Sequence, residues 1–280
     1  MKVDLHTHTT RYSACSRMTP EELVAEARRS GLDAIVITEH NRAWDPKELA
    51  ELSGAGLLVL GGVEVSTREG DCLVFAPDLD GVGGPGGAGA EVTGGLGRDA
   101  TLETLATEAH LRGGLAFLAH PFRTTLDQHR RSLGRPLDGL ERETCNSFGR
   151  LEREAAEAVA LAGGLHLITG SDAHKADMVG CFYVELEQPV GDVSELVREL
   201  QRGAYRCRRN DLRFFSWLDA RSAELRAWVR AEVLSGLRDL EALKRATGVS
   251  SDIIREVLAD ATPRPSTSSG RGEPVEPRNG

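Results

Sequence analysis

The feature that most constrains the fold of this 280-residue chain is an alternation of short apolar runs with amphipathic stretches over its first two thirds. The run Ala34–Thr38 (AIVIT) is apolar up to its last residue, as expected for a strand buried on both faces. A capping box precedes it, with Thr19 as the N-cap and Glu22 three residues later. Pro20 then occupies the first helical position, and Gly31 ends the helix. Repeated βα units of this kind predict an α/β fold with a parallel sheet, and their number indicates a barrel.

The same patterns predict further elements along the chain. Strands are predicted at Val3–Leu5, Leu57–Val63, Cys72–Ala76, Leu115–Ala119, Leu140–Glu143, Leu165–Thr169 and Phe182–Leu186, and helices at Pro46–Leu52, Thr101–Arg112, Arg150–Ala162 and Val193–Arg202.

Three segments depart from this alternation. Residues 81–97 are rich in glycine but lack the GxxxxGK[ST] ending of a phosphate-binding loop, so they are interpreted as a flexible insertion. Apolar residues at helical spacing follow residue 210, and the last 18 residues carry no apolar periodicity. We therefore predict an α/β unit over 1–210, a helical extension over 211–262 and a disordered tail over 263–280. The extension packs against the barrel or against a second subunit.

Composition narrows the functional classes. The net charge of −9 disfavours non-specific nucleic-acid binding, although bound cations would offset part of it. Five cysteines in an irregular pattern without CxxC favour a reduced, cytoplasmic setting over a disulfide framework. We expect no secretory signal and no membrane span, because no apolar run approaches the roughly 20 residues that a transmembrane helix needs.

Metal-binding side chains follow the predicted strands. His6 and His8 stand two apart in an extended segment, so their side chains project to the same side and can hold one ion together. A single HxH is weak on its own, but four more segments of this kind follow strands. They contain His40, Glu64, His120 and the pair Asp172 and His174, whereas His110, His129 and His166 are interpreted as structural or exposed.

The carboxyl ends of barrel strands converge on one mouth, so these side chains should meet there. Imidazole and carboxylate ligands together suit Zn, Mn or Fe. A carboxylate such as Glu64 can bridge two ions, and paired ions are a recurring arrangement in enzymes that cleave phosphoesters.

The motifs DLHTHT, TEHN, GVEVS, AHPFR and GSDAH, in this order, resemble those of the PHP (polymerase and histidinol phosphatase) family of metal-dependent phosphoesterases. The resemblance covers about residues 1–210. It implies a distorted seven-stranded β/α, TIM-like barrel with two or three divalent ions. By analogy, the first ion would be held by His6, His8, Glu64 and Asp172, the second by Glu64 and His120, and the third by His40 and His174. Arg11, Tyr12 and Ser13 resemble the family's loop after HxH.

Two positions depart from the family pattern. The family usually carries Asp or His after the YS of that loop, where this chain has Ala14 and Cys15. Cys15 either reaches the third ion or is a buried, inert residue. The family often has His in the strand after GVEVS, where Asp71 stands here. Asp71 is either a ligand of the second ion or a turn residue before the strand.

The resemblance implies hydrolysis of a phosphoester by a metal-activated water, with Glu64, Asp172 and His174 as the catalytic residues. Arg123 could hold the phosphate bidentately, and Lys175 could do so as a point charge. Both could equally be exposed basic residues outside the site.

A small phosphomonoester is the favoured substrate, and short nucleic acids enter only as substrates of a nuclease or nucleotide phosphodiesterase. A non-catalytic binding module with a degenerate metal site is the non-enzymatic alternative. An amidohydrolase barrel also begins with HxH, but it normally adds a bridging Lys, and no Lys ends a predicted strand between Glu64 and His120. The chain is expected to be a monomer or a homodimer.

Overall fold

The computed structural model describes residues 1–54, 56–79, 82, 100–126 and 136–261. The predicted glycine-rich insertion, apart from Val82, and the predicted tail lie outside the described residues. The described part contains ten strands, β1 to β10 in chain order: Lys2–Thr7, Ala34–Ile37, Leu58–Gly61, Val63–Thr67, Gly70–Phe75, Leu115–Leu118, Gly139–Glu141, His166–Ile168, Phe182–Leu186 and Tyr205–Arg209.

The described helices α1 to α8 are Pro20–Arg29, Pro46–Leu52, Leu102–Leu111, Arg150–Gly163, Val193–Arg202, Asp211–Leu234, Leu240–Thr247 and Ser251–Ala261. A short 3₁₀ turn spans Ala176–Met178. The capping box predicted for α1 is present, since Thr19 accepts from the Glu22 amide and Glu22 accepts from the Thr19 amide. None of the helices in this part of the chain is both long and apolar enough to cross a membrane.

The strands form two mixed sheets of five strands each. The order is β10-β9-β1-β2-β3 in the first sheet and β4-β5-β6-β7-β8 in the second. Pairing is parallel within β1-β2-β3 and β6-β7-β8 and antiparallel for the other pairs. The α/β class is confirmed, but the sheets are mixed and not the parallel sheet that was predicted. The seven-stranded closed barrel is not confirmed by the described residues.

The predicted strand Leu57–Val63 is also corrected, because it is divided between the two sheets at Gly62. A Cβ atom on Gly62 would lie 3.0 Å from side-chain atoms of Phe75 and Thr38, so a larger residue at the crossing would crowd these neighbours. Isolated bridges join the sheets on either side, His40 with Glu64 and Thr7 with Ala173. These two bridges therefore bring predicted ligand segments from different sheets together.

The helices after residue 210 pack on the rest of the chain. Phe214 and Trp217 of α6 contact Phe148, with ring centroids 5.4 and 5.6 Å apart, and belong to a core cluster shared with β2 and α1. Lys244 of α7 forms a buried ion pair with Glu152 of α4, with 2.6 Å between nitrogen and oxygen. This helical extension is thus bound to the α/β unit by apolar contacts and by a buried charge pair.

Candidate metal centre

Glu64 lies at the centre of the predicted ligand set. Its side chain is fully buried, and its Oε1 atom is 2.9 Å from Nε2 of His120. The Oε2 atom is 3.0 Å from Nδ1 of His40 and 3.3 Å from Nε2 of both His6 and His8. Despite these short distances, Oε2 has no hydrogen-bond partner of adequate geometry among the described residues. A buried carboxylate oxygen without a donor is costly, and a bound cation would compensate it.

Asp172 provides the second carboxylate. Its Oδ1 atom lies 3.5 Å from Nε2 of His6, 3.4 Å from Nε2 of His8 and 3.4 Å from Nδ1 of His174. Asn146 donates an amide hydrogen bond of 2.9 Å to Oδ2, which fixes the carboxylate plane. The pair His6 and His8 and the pair Asp172 and His174, each two residues apart in its own segment, thus meet at one centre.

Two of these residues have unusual backbone conformations. His120 has a φ of 27° and Asp172 a φ of 53°, in the left-handed region that residues other than glycine seldom adopt. Such conformations cost energy and concentrate at functional sites, where the surrounding structure holds them. In both residues, the strained backbone carries a side chain of the ligand set.

The ligand atoms form four overlapping groups, each within 4.8 Å. The groups are His8, His40 and His174; His6, His8 and Glu64; His6, His120 and Asp172; and Glu64, Asp71 and His120. Nε2 of His6 and Nε2 of His8 are only 3.0 Å apart. Two nitrogens bound to one tetrahedral zinc lie about 3.4 Å apart, so this spacing is close to that of a shared ion. The residues therefore fit a cluster of divalent ions.

Opposite charges dominate the ionisation of the centre. Burial alone would lower the pKa of His6, but the carboxylates of Glu141, Asp172 and Glu64 hold that pKa well above its ordinary value. Burial would raise the pKa of Glu64, whereas the charge of His6 and the hydrogen bond to His120 keep it well below its usual range. Without an ion, protons on the imidazoles would balance the carboxylates, so metal binding would displace protons.

Glu141 is a residue that sequence reasoning missed. Its Oε1 atom accepts a 3.0 Å hydrogen bond from Nδ1 of His6, and its Oε2 atom accepts a 2.9 Å bond from the His120 amide. This pairing leaves Nε2 of His6 facing the centre. The available signal was a carboxylate inside the predicted strand Leu140–Glu143; the observed strand ends at Glu141, the position shared by several predicted ligands.

Glu39 was also overlooked, although it stands next to His40. It is buried and accepts hydrogen bonds from the Thr9 and Ser13 hydroxyls, both of 2.5 Å, and from the Trp44 indole, of 3.1 Å. Ser13, singled out in the sequence, thereby fixes the loop after β1 next to His8, whose Nδ1 lies 3.3 Å from the Ser13 hydroxyl.

Of the two departures from the family pattern, Asp71 belongs to one of the ligand groups and Cys15 to none of them. Asp71 is half-buried and joins the group of Glu64 and His120. Cys15 is exposed, so the interpretation of a buried, inert residue is wrong. Burial raises the pKa of its thiol, but interactions with His174 and His40 outweigh that effect and lower the pKa to about 6.

The two predicted phosphate-binding residues differ in their surroundings. Arg123 is exposed, and its positive charge opposes the otherwise raised pKa of His120. Lys175 is half-buried beside His174 in the chain. Its carbonyl accepts from the Met178 amide at 3.1 Å, but among the described residues its ammonium group has no hydrogen bond or ion pair. Outside the centre, His110 pairs with Asp138 at 2.9 Å and His166 begins β8, whereas His129 lies outside the described residues.

Residues 4–163 of the chain match the family model of the PHP domain. The chain belongs to the PHP domain family. Residues 150–205 also match the model of a PHP-associated region. In this PHP protein, the family match includes His6, His8, His40, Glu64 and His120, and the PHP-associated match includes Asp172 and His174.

Solved structures share the fold of this PHP protein at low sequence identity. PsfC from Pseudomonas syringae has a TM-score of 0.57 and 20% identity, covering 76% of this chain and 92% of PsfC. A two-domain protein of Bacteroides vulgatus, containing a predicted PHP-like metal-dependent phosphoesterase, has a TM-score of 0.51 and 19% identity, covering 77% of this chain and 69% of its own. The lesion-specific endonuclease PfuEndoQ from Pyrococcus furiosus has a TM-score of 0.53 and 18% identity, covering 74% of this chain and 57% of its own.

Proposed function

We propose that this PHP protein is a metal-dependent phosphoesterase that hydrolyses a small phosphomonoester. The observation that carries the proposal is the Oε2 atom of Glu64, which is buried among the imidazoles of His6, His8 and His40 without a hydrogen-bond partner of adequate geometry. Divalent ions bound here would activate water and neutralise charge on a phosphoryl group. The proposed cofactors are two or three ions of Zn, Mn or Fe, which suit imidazole and carboxylate ligands.

The residues divide into three roles in this proposal. His6, His8 and Asp172 would hold one ion, and Glu64 would be shared between that ion and a second one held with His120 and Asp71. A third ion would be bound by His40 and His174. Glu64, Asp172 and His174 are the proposed catalytic residues, because each joins two neighbouring parts of the centre.

Arg123 would hold the phosphate. It lies three residues after His120 on an exposed segment, and its charge acts on the His120 imidazole. A guanidinium can donate two parallel hydrogen bonds to a phosphoryl group, so it would orient the substrate towards the centre. Lys175 is a weaker candidate for the same role, since it has the correct charge but no described contact with the ligand set.

A nuclease or nucleotide phosphodiesterase is the second candidate. The shared fold with PfuEndoQ favours it, although the chain spans little more than half of that endonuclease. The net charge of −9 opposes extended contact with a phosphate backbone. A compact phosphomonoester could be bound by the metal centre and Arg123 alone. We therefore prefer a monoester to a nucleic acid as the substrate.

The test compares chromogenic phosphate monoesters and diesters with protein loaded with Zn or Mn. We expect faster turnover of the monoester. In Glu64→Gln the turnover rate should fall at least about 100-fold, because ions at such sites lower the activation barrier by several kcal/mol. Glu185→Gln, a change to an exposed carboxylate on β9, is the matched control. Faster diester cleavage would favour the second candidate. Stoichiometric metal without turnover of either ester would instead support a non-catalytic binding module.

The remaining expectations belong to the same proposal. The partner is a small phosphorylated molecule rather than a membrane, the protein acts in the cytoplasm, and it is a monomer or homodimer. The boundaries at residues 210 and 262 also remain predictions.

A further inference from the structure

The loop that carries Cys15 is fixed against the centre on both sides of this residue. Before it, the Ser13 hydroxyl donates a 2.5 Å bond to Glu39, and the Ser13 amide donates a 3.1 Å bond to Thr9. After it, the Ser16 hydroxyl donates a 3.1 Å bond to the carbonyl of His8. The Cys15 backbone is therefore held beside a predicted ligand, although its side chain is exposed.

The imidazoles that face this loop form a group by themselves. The ring centroids of His8 and His40 are 4.5 Å apart, and those of His8 and His174 are 4.4 Å apart. Ligand nitrogens of the three rings lie within 4.8 Å of one another. The residues on either side of Cys15 bond to these histidines, since the Ser13 hydroxyl accepts from the His40 amide at 3.2 Å and the Ser16 hydroxyl donates to the His174 carbonyl at 3.4 Å. The Cys15 sulfur is not within the 4.8 Å group, so binding needs a rotation of the exposed side chain towards the rings.

A second observation indicates that this side of the centre binds a cation. The buried, unpartnered Oε2 atom of Glu64 lies 3.0 Å from His40 and 3.3 Å from His8. The imidazole group and the carboxylate oxygen that lacks a donor thus lie side by side, with Cys15 on the solvent side.

We propose that Cys15 is a thiolate ligand that completes, with His40 and His174, a site selective for a thiophilic ion such as Zn²⁺. Two imidazoles and one thiolate supply three protein ligands, the number typical of a zinc site that keeps a position open. Sulfur disfavours Mn²⁺, which prefers oxygen ligands. The inference rests on the proposed metal cluster but does not depend on hydrolysis or on the identity of the substrate.

The test uses cobalt as a spectroscopic substitute for zinc. Full-length protein is loaded with Co²⁺ or Zn²⁺ after removal of metal, and ions per chain are counted by elemental analysis. A cysteine thiolate bound to Co²⁺ gives an intense charge-transfer absorption in the near ultraviolet that imidazole and carboxylate ligands do not give. The variants are Cys15→Ser, Cys15→Asp and, as the control, Cys207→Ser, whose thiol contacts the Leu167 carbonyl away from the imidazoles.

We expect the wild type and Cys207→Ser to show the thiolate band and Cys15→Ser to lose it, with zinc affinity at one site falling at least about tenfold. Cys15→Asp should also lose the band but retain the ion, because a carboxylate can replace the thiolate as a ligand. Unchanged band and stoichiometry in Cys15→Ser would overturn the inference.

The two proposals can fail separately. If Cys15→Ser keeps the wild-type band while the wild type hydrolyses phosphoesters, only the role of Cys15 is wrong. If the wild type binds no ion, both proposals fail. Because Cys15 is exposed, its replacement should leave the fold intact, and circular dichroism of each variant checks this.

Discussion

Nδ1 of His6 lies 3.0 Å from Oε1 of Glu141, and both side chains are completely buried at the junction of the two sheets. A histidine that donates one ring nitrogen to a carboxylate presents the other as a ligand with fixed orientation. Glu141 also accepts the amide of His120 with its second oxygen. One carboxylate thus orients a ligand from each sheet.

Replacing Glu141 with Gln should weaken metal binding without removing a ligand. An amide can accept only with its oxygen, so one of the two donors, at His6 or at His120, would face an NH₂ group. We expect the affinity for the first ion to fall about 10–100-fold, measured by competition with a chromogenic chelator. Glu143→Gln is the control, because that carboxylate pairs with Arg153 instead. Equal affinity in both variants would contradict the role of Glu141.

Removing the ions should lower the melting temperature. An ion that binds only the folded state and is present at 100 times its Kd stabilises by about 2.7 kcal/mol, equivalent to a shift of roughly 5–10 °C for a chain of this size. Calorimetry with Zn²⁺ and with a chelator measures the difference. Glu64→Ala should show a smaller difference in melting temperature between the two conditions, because the ions that share this carboxylate would be lost. A metal-dependent shift of wild-type size in this variant would argue against the shared carboxylate.

Breaking the buried pair of Lys244 and Glu152 should lower the free energy of unfolding more than breaking an exposed ion pair. Both side chains are 1% exposed, and the Ser251 amide and hydroxyl also donate to Glu152. Lys244→Met would leave a buried carboxylate without its counter-charge, at a cost of about 3–5 kcal/mol in the free energy of unfolding. Urea denaturation measures this cost. Glu154→Ala, which breaks an exposed pair with Arg150, should cost less than about 1 kcal/mol.

Arg123→Ala should raise KM for a phosphomonoester by about 10–100-fold, the effect expected for a hydrogen bond between charged groups. Arg123→Lys should restore part of the affinity, since it keeps the charge but loses the bidentate geometry. Steady-state kinetics on metal-loaded protein provide the comparison, with Arg202→Ala on α5 as the control. Unchanged KM and kcat in Arg123→Ala would exclude Arg123 from the site.

Most of the predicted ligands could be found from sequence because they lie at the end of a run of apolar residues, whereas Asp71 precedes such a run. His40 after AIVIT and His120 after LAFL show this pattern, and the structure brings both to Glu64. Glu141 was missed because its function depends on a partner 135 residues away in the chain, a distance that local periodicity does not encode.

The sheet arrangement was harder to predict for two reasons. Val63–Thr67 continues the apolar run of β3, and only the tight packing at Gly62 shows that the chain changes sheets there. Tyr205–Arg209 alternates exposed and partly buried residues and contains three arginines, which resembles a surface loop until the pairing with β9 is known.

The distribution of the ligands over the two sheets has a mechanical consequence. His6, His8 and His40 belong to or follow strands of the first sheet, whereas Glu64 and His120 belong to or follow strands of the second. Ions shared by these residues would link the two sheets across their junction, so that the sheets could not separate without releasing metal. The loss of metal and the opening of this junction would then be one cooperative event.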